Sequence, residues 1–191
     1  MSLANLGVVF PVGGVGVMLL LVVASGAGCL LLTLGLRRRL GGVTAMAIGG
    51  LVWSLAVIAS ITLIPADGAP GIVPAEGRLT TCSWDIGGPA PEGFWIFGGG
   101  QRLLNTAVFV PPGALLVVAA ARWRAAWVLV PVGLALLAGY SVLIEAQLEL
   151  ARIDRACDVT DVIDNVTGAL LGAAVGVVLA VLLRPWRRRA R

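Results

Sequence analysis

The chain has 191 residues, 59% hydrophobic and only 13% charged, with a mean hydropathy of +0.98. Soluble domains carry roughly 25% charged residues, so a soluble globular protein, a disordered chain and a disulfide-stapled secreted scaffold are all excluded. All 14 basic residues are Arg, and His is absent. Chemistry needing a His base, a His-bound metal, a Schiff-base Lys or a P-loop Lys is therefore also excluded.

In chain order, apolar runs without a charge cover 8–36, 43–64, 103–121, 125–144 and 166–183. About 20 apolar residues cross a hydrocarbon core of roughly 30 Å, so the expected fold is an all-α integral membrane protein with five transmembrane helices. The first run is long enough to tilt, or to begin outside the bilayer near Pro11. With no basic residue before it, and about twice the length of a signal core, it does not read as a signal peptide. The third run is the least regular, because it contains Asn105, Pro111 and Pro112. Four parts follow: two helices in 1–64, an extracytoplasmic loop in 65–100, a three-helix region in 101–183 and a basic tail in 184–191.

Charge placement sets the orientation. Arg37, Arg38 and Arg39 follow the first span, Arg122 and Arg124 the third, and Arg184, Arg187, Arg188, Arg189 and Arg191 the fifth. All ten acids lie on the other side, with only four Arg. The positive-inside rule then puts the N-terminus outside and the C-terminus in the cytoplasm. The formal charge of +4 and pI near 9.8 thus reflect membrane topology. The tail RPWRRRAR is an anchor with affinity for anionic lipid, and no nucleic-acid partner is expected.

The loop at 65–100 holds five Pro and nine Gly, too broken for a helix or a continuous strand. Its Trp84, Phe94, Trp95 and Phe97 suit the headgroup layer on the outer face. A cap over the bundle is the plainer reading, and a substrate lid the alternative. Cys82 in this loop and Cys157 in the second outer segment sit where oxidation is permitted. They are expected to form a disulfide if the loop folds over the last helix, and to stay as free thiols otherwise. Cys29 falls inside the first span, and no metal site is visible from cysteine spacing.

The polar residues of the last region form a pattern. Arg155, Asp158, Asp161, Asn165, Gly168, Gly172 and Gly176 recur every three or four residues, which places them in one helical stripe. The glycines would let another helix approach closely. They fit self-association or a membrane partner as well as internal packing. Asp158 and Asp161 could serve merely as a cap and a first-turn acid. Glu145 ends the fourth span, where a lone buried carboxylate is costly, so it is expected to pair with an Arg or to face a wet cavity, with Arg155 the natural partner if the polar residues cluster. Asn105 starts the third span at the same outer level, with Gln101 and Arg102 beside it. The candidate site is therefore the convergence of Asn105, Glu145, Arg155, Asp158, Asp161 and Asn165.

These residues also carry a family resemblance. NTAVFVPPG (Asn105, Phe109, Pro111, Gly113) matches the N-x-x-x-F-x-P-x-G pattern of the VanZ-like membrane proteins. SVLIE (Ser141, Ile144, Glu145) and RACDVTDVIDNVTGALLG (Arg155 through Gly172) resemble that family's second and third blocks. The resemblance covers about 100–180, and the first two helices and the loop match only as generic spans. One departure is that Gln147 lies two residues beyond the Glu, with Leu148 where the family usually has Gln. The resemblance implies a multi-pass protein of the bacterial inner or plasma membrane. VanZ itself is associated with reduced susceptibility to teicoplanin-type glycopeptides.

Three functions compete on this basis. The first is binding or modulation of an outer-leaflet lipid or lipid-linked wall precursor, with Arg102, Arg152 and Arg155 on its phosphate and Asn105 and Asn165 beside them. The second is a membrane enzyme acting on a lipid headgroup. Glu145 would be its acid or base, and Asp158 and Asp161 would hold a divalent cation. The third is a structural partner subunit without chemistry. No resident cofactor is expected under the first or third.

Overall fold

The computed structural model describes residues 14–63, 100–150 and 159–185. They form five helices: α1 (Val15–Leu40), α2 (Gly42–Leu63), α3 (Gly100–Ala120), α4 (Ala126–Leu150) and α5 (Val159–Leu183). All five are long and apolar enough to cross a membrane, and the described residues contain no strand. The protein is a multi-pass membrane protein.

Each expected span is present, with shifted ends. The fifth helix starts at Val159, seven residues before the charge-free run, and takes Asp161, Asp164 and Asn165 into its first two turns. A charge-free run marks where a helix can face lipid on every side. It misses a turn whose polar face is turned inward. The first helix starts at Val15 and runs through the Arg triplet. The third is unbroken despite Pro111 and Pro112. A proline removes one helical hydrogen bond and crowds the carbonyl four residues back, which a neighbouring helix can compensate in a membrane protein. Here Pro112 is fully buried, and Gly113 after it lies against α5.

The closest packing is between α3 and α5. A methyl group built on Gly168 would fall 2.0 Å from the Thr106 carbonyl oxygen. On Gly172 it would fall 2.1 Å from that of Val110, and on Gly176 2.5 Å from that of Ala114. Each of these pairs is 62 residues apart and both members advance together, so the two helices run parallel. In return, a methyl on Gly113 would fall 2.2 Å from the Ala169 carbonyl. The glycine hydrogens thus point at carbonyl oxygens. Such C–H···O contacts are worth about 0.5–1 kcal/mol each.

The remaining helices assemble on this pair. Phe109, Leu137, Ile144 and Ala169 meet Ile58 in the buried core, joining α3, α4, α5 and α2. The Tyr140 ring stands 6.4 Å from that of Phe109, and its hydroxyl donates to the Leu55 carbonyl at 2.8 Å. By contrast, α1 has no buried residue and packs mainly on α2. There Trp53 donates from Nε1 to the Val22 carbonyl at 3.1 Å.

Substitution should separate these two environments. Gly172→Ala places a methyl against backbone that cannot move aside, and a loss of about 1–3 kcal/mol is expected. Gly28→Ala, with open space around it, should be neutral or slightly stabilising. Thermal unfolding of the detergent-purified variants measures both. Equal behaviour of the two would refute the close α3–α5 packing.

Candidate functional site

The 62-residue offset between α3 and α5 extends beyond the glycines. One turn above Thr106 and Gly168 it brings Arg102 to Asp164. There Nε donates to Oδ2 at 3.0 Å and Nη2 to Oδ1 at 3.1 Å, a bidentate fork. Asp164 is 7% exposed, whereas the Arg102 side chain is 55% exposed. The carboxylate is therefore inside the bundle and the guanidinium lies over its edge. Asn105, further round α3, donates from Nδ2 to Asp161 Oδ1 at 2.6 Å.

The antiparallel α4 completes the layer. Asn165 donates from Nδ2 to the Ser141 hydroxyl at 2.9 Å, and both residues are buried. One helical turn beyond Ser141 is Glu145, 8% exposed. One turn beyond Asn165, on α5, is Asp161. The carboxylates of Glu145 and Asp161 thus belong to the same level of neighbouring helices, above the Ser141–Asn165 bond. Thr160, in the same turn of α5 as Asp161, is also buried. This spacing lets three apolar spans carry polar side chains inward at one depth, where each bond satisfies a group that lipid could not.

The structure brings together Asn105, Glu145, Asp161 and Asn165 of the expected site. Arg102 joins them through Asp164, which sequence reasoning passed over. The stripe passes from Asp161 to Asn165, but a 3.6-residue period admits Asp164 equally, three beyond Asp161 and four before Gly168. The Ser141 hydroxyl as the partner of Asn165 was likewise not foreseen. Arg152, Arg155 and Asp158 lie outside the described residues, as do Cys82 and Cys157, the aromatic loop and the side chains of Gln101 and Gln147. The expected Glu145–Arg155 pair and the disulfide fall there too. The free cysteine among the described residues is Cys29. No group of three metal-ligating side chains occurs among them.

The sequence model of the VanZ/LLP1 family matches residues 51–183, more than half of the chain. The chain belongs to the VanZ/LLP1 family. The match takes in α3, α4 and α5, and with them every described residue of the polar layer. It also reaches back into α2, further than the resemblance at about 100–180. The contact of Tyr140 with the Leu55 carbonyl gives that extension a structural counterpart, since it ties α2 to the three-helix unit. No curated protein and no solved structure matches the chain.

The strength of the Arg102–Asp164 pair is open to measurement. Hydrogen bonds to charged groups contribute about 1.5–3 kcal/mol when sheltered, and exposure of the guanidinium lowers that. A double-mutant cycle with Arg102→Gln and Asp164→Asn should give a coupling of about 1–2 kcal/mol. A coupling near zero would mean that the fork does not hold α3 to α5.

Proposed function

We propose that this VanZ/LLP1 protein binds the phosphate of an outer-leaflet lipid or lipid-linked wall precursor at the polar layer, with the N-terminal ends of α3 and α5 on the outer face of a bacterial cell membrane. In this reading, occupancy of the layer changes how the envelope responds to teicoplanin-type glycopeptides. The observation that carries it is the half-exposed Arg102 guanidinium, held by a buried Asp164 carboxylate at the mouth of the layer. A guanidinium already fixed in plane loses less conformational freedom when a phosphate docks. Arg152 and Arg155, which fall between α4 and α5 in the sequence together with Asp154 and Asp158, would supply further guanidinium groups. Asn105, whose amide already holds Asp161, would offer its second N–H to a headgroup oxygen, whereas Asn165 is buried against Ser141 and would support the layer from within. The orientation follows from the ten Arg residues assigned to the other side.

A second reading is favoured by one observation, the burial of the Glu145 carboxylate on the level of Asp161. In a membrane enzyme, Glu145 would transfer the proton, and Asp158 and Asp161 would hold a divalent cation. A structural subunit would use the same layer only for stability.

Expression in a glycopeptide-susceptible strain, with abundance checked by immunoblot, tests the working site. Glu145→Gln and Asp161→Asn should abolish teicoplanin tolerance at normal protein levels, whereas Glu76→Gln and Glu92→Gln in the loop should leave it intact. Full tolerance in both polar-layer variants would remove the layer as the working site. Lipid extracted from the purified chain separates the two chemistries. A binder loses its retained lipid on Arg155→Gln, and an enzyme loses lipid turnover on Glu145→Gln.

A further inference from the structure

At the opposite end of the bundle, Arg122 in the turn between α3 and α4 reaches across to the end of α1. Its Nη1 donates to the Leu40 carbonyl and its Nη2 to that of Arg39. Carbonyls at a helix C-terminus carry partial negative charge, so a cation is well placed there. The turn it grips is Gly41, with φ 79°, where an added methyl would stand 3.7 Å from Nη1. Arg37, Arg38 and Arg39 form the adjoining last turn of α1, all exposed. Arg124 is exposed in the same turn as Arg122. Arg184 is exposed at the end of α5, where the parallel register brings it level with Arg122.

Six guanidinium groups thus gather at one end, and the described residues place no Asp or Glu among them. Two of these groups at close range repel, and the repulsion is weakly screened wherever lipid excludes water. Such a cluster calls for an anion. Trp123, 40% exposed, stands on the α3–α4 turn, and Trp127, 80% exposed, at the start of α4. Indole rings at a helix end favour the headgroup layer, so the anion closest to hand is a lipid phosphate.

We propose that this end is a binding site for an acidic phospholipid, its phosphate docking between Arg122 and the Arg37–Arg39 turn. Arg122 is the fixed member, since two of its nitrogens are already committed to the backbone of α1. Arg38 and Arg39 close on the phosphate from the side. The site is separate from the polar layer and does not rest on the reading of that layer.

The test uses the full chain in detergent, titrated with short-chain phosphatidylglycerol, with phosphatidylcholine, or with inorganic phosphate alone. Intrinsic Trp fluorescence follows binding. Phosphatidylglycerol should bind several-fold more tightly than phosphatidylcholine. Arg38→Gln/Arg39→Gln should weaken phosphatidylglycerol by about fivefold for each Arg removed and leave phosphatidylcholine unchanged. Both side chains are exposed, so helical content by circular dichroism should match the parent. The polar layer is identical in the two chains and cancels from the comparison. Equal affinity for the two lipids, unchanged phosphatidylglycerol affinity in the double variant, or a full response to inorganic phosphate alone would each overturn the proposal.

Discussion

Backbone-to-backbone contact between α3 and α5 sets the geometry of everything around it. Gly168, Gly172 and Gly176 present no side chain to Thr106, Val110 and Ala114, and the helices close until hydrogen meets carbonyl oxygen. In a bilayer the hydrophobic effect does not drive helices together, so close packing and polar bonds must do so. Four-residue spacing on both helices makes the seam continuous and holds the register against sliding. Because the register is held, Arg102 meets Asp164 and Asn105 meets Asp161 at the seam's upper end. The polar layer is a geometric product of the glycine seam.

The layer also shows how apolar spans accommodate carboxylates. Asp164 has a guanidinium, and Asp161 an amide donor at 2.6 Å. Glu145 is buried one turn beyond the Ser141–Asn165 bond, on a helix running the other way. An ionised carboxylate inside hydrocarbon is costly without such donors. Concentrating the polar groups at one depth lets them satisfy one another, and the rest of each span stays apolar. This separation also keeps the acids away from the Arg-rich helix ends, so each end of the bundle has its own electrostatic character.

Much of this was legible in the sequence because hydropathy and charge act over whole segments. Five charge-free runs gave five helices, and the GxxxGxxxG stripe after Asn165 marked the face that packs. The convergence of Asn105, Glu145, Asp161 and Asn165 followed from helix order and direction alone. What could not be read was which partner each polar group takes. Asp164 and Asn165 are adjacent, and their division of labour depends on how α5 is rotated between α3 and α4. The start of α5 was displaced for a similar reason, since a turn carrying two acids looks extramembranous until its inward face is known. The bond from Tyr140 to the Leu55 carbonyl was invisible, because a backbone acceptor has no sequence signature.

The parallel pairing of α3 with α5 bears on how the protein is made. Parallel neighbours cannot be consecutive, so α4 must be threaded before the seam can form. Until α5 emerges from the ribosome, α3 has Arg102, Asn105 and two prolines but lacks its main polar partners, and its membrane-spanning stretch has the lowest mean hydropathy of the five. At that stage α2, which α3 also contacts, is the neighbour already in place. Biogenesis of this bundle therefore has a late committing step, the arrival of α5, and a chain halted before that step exposes an incompletely paired helix to membrane quality control.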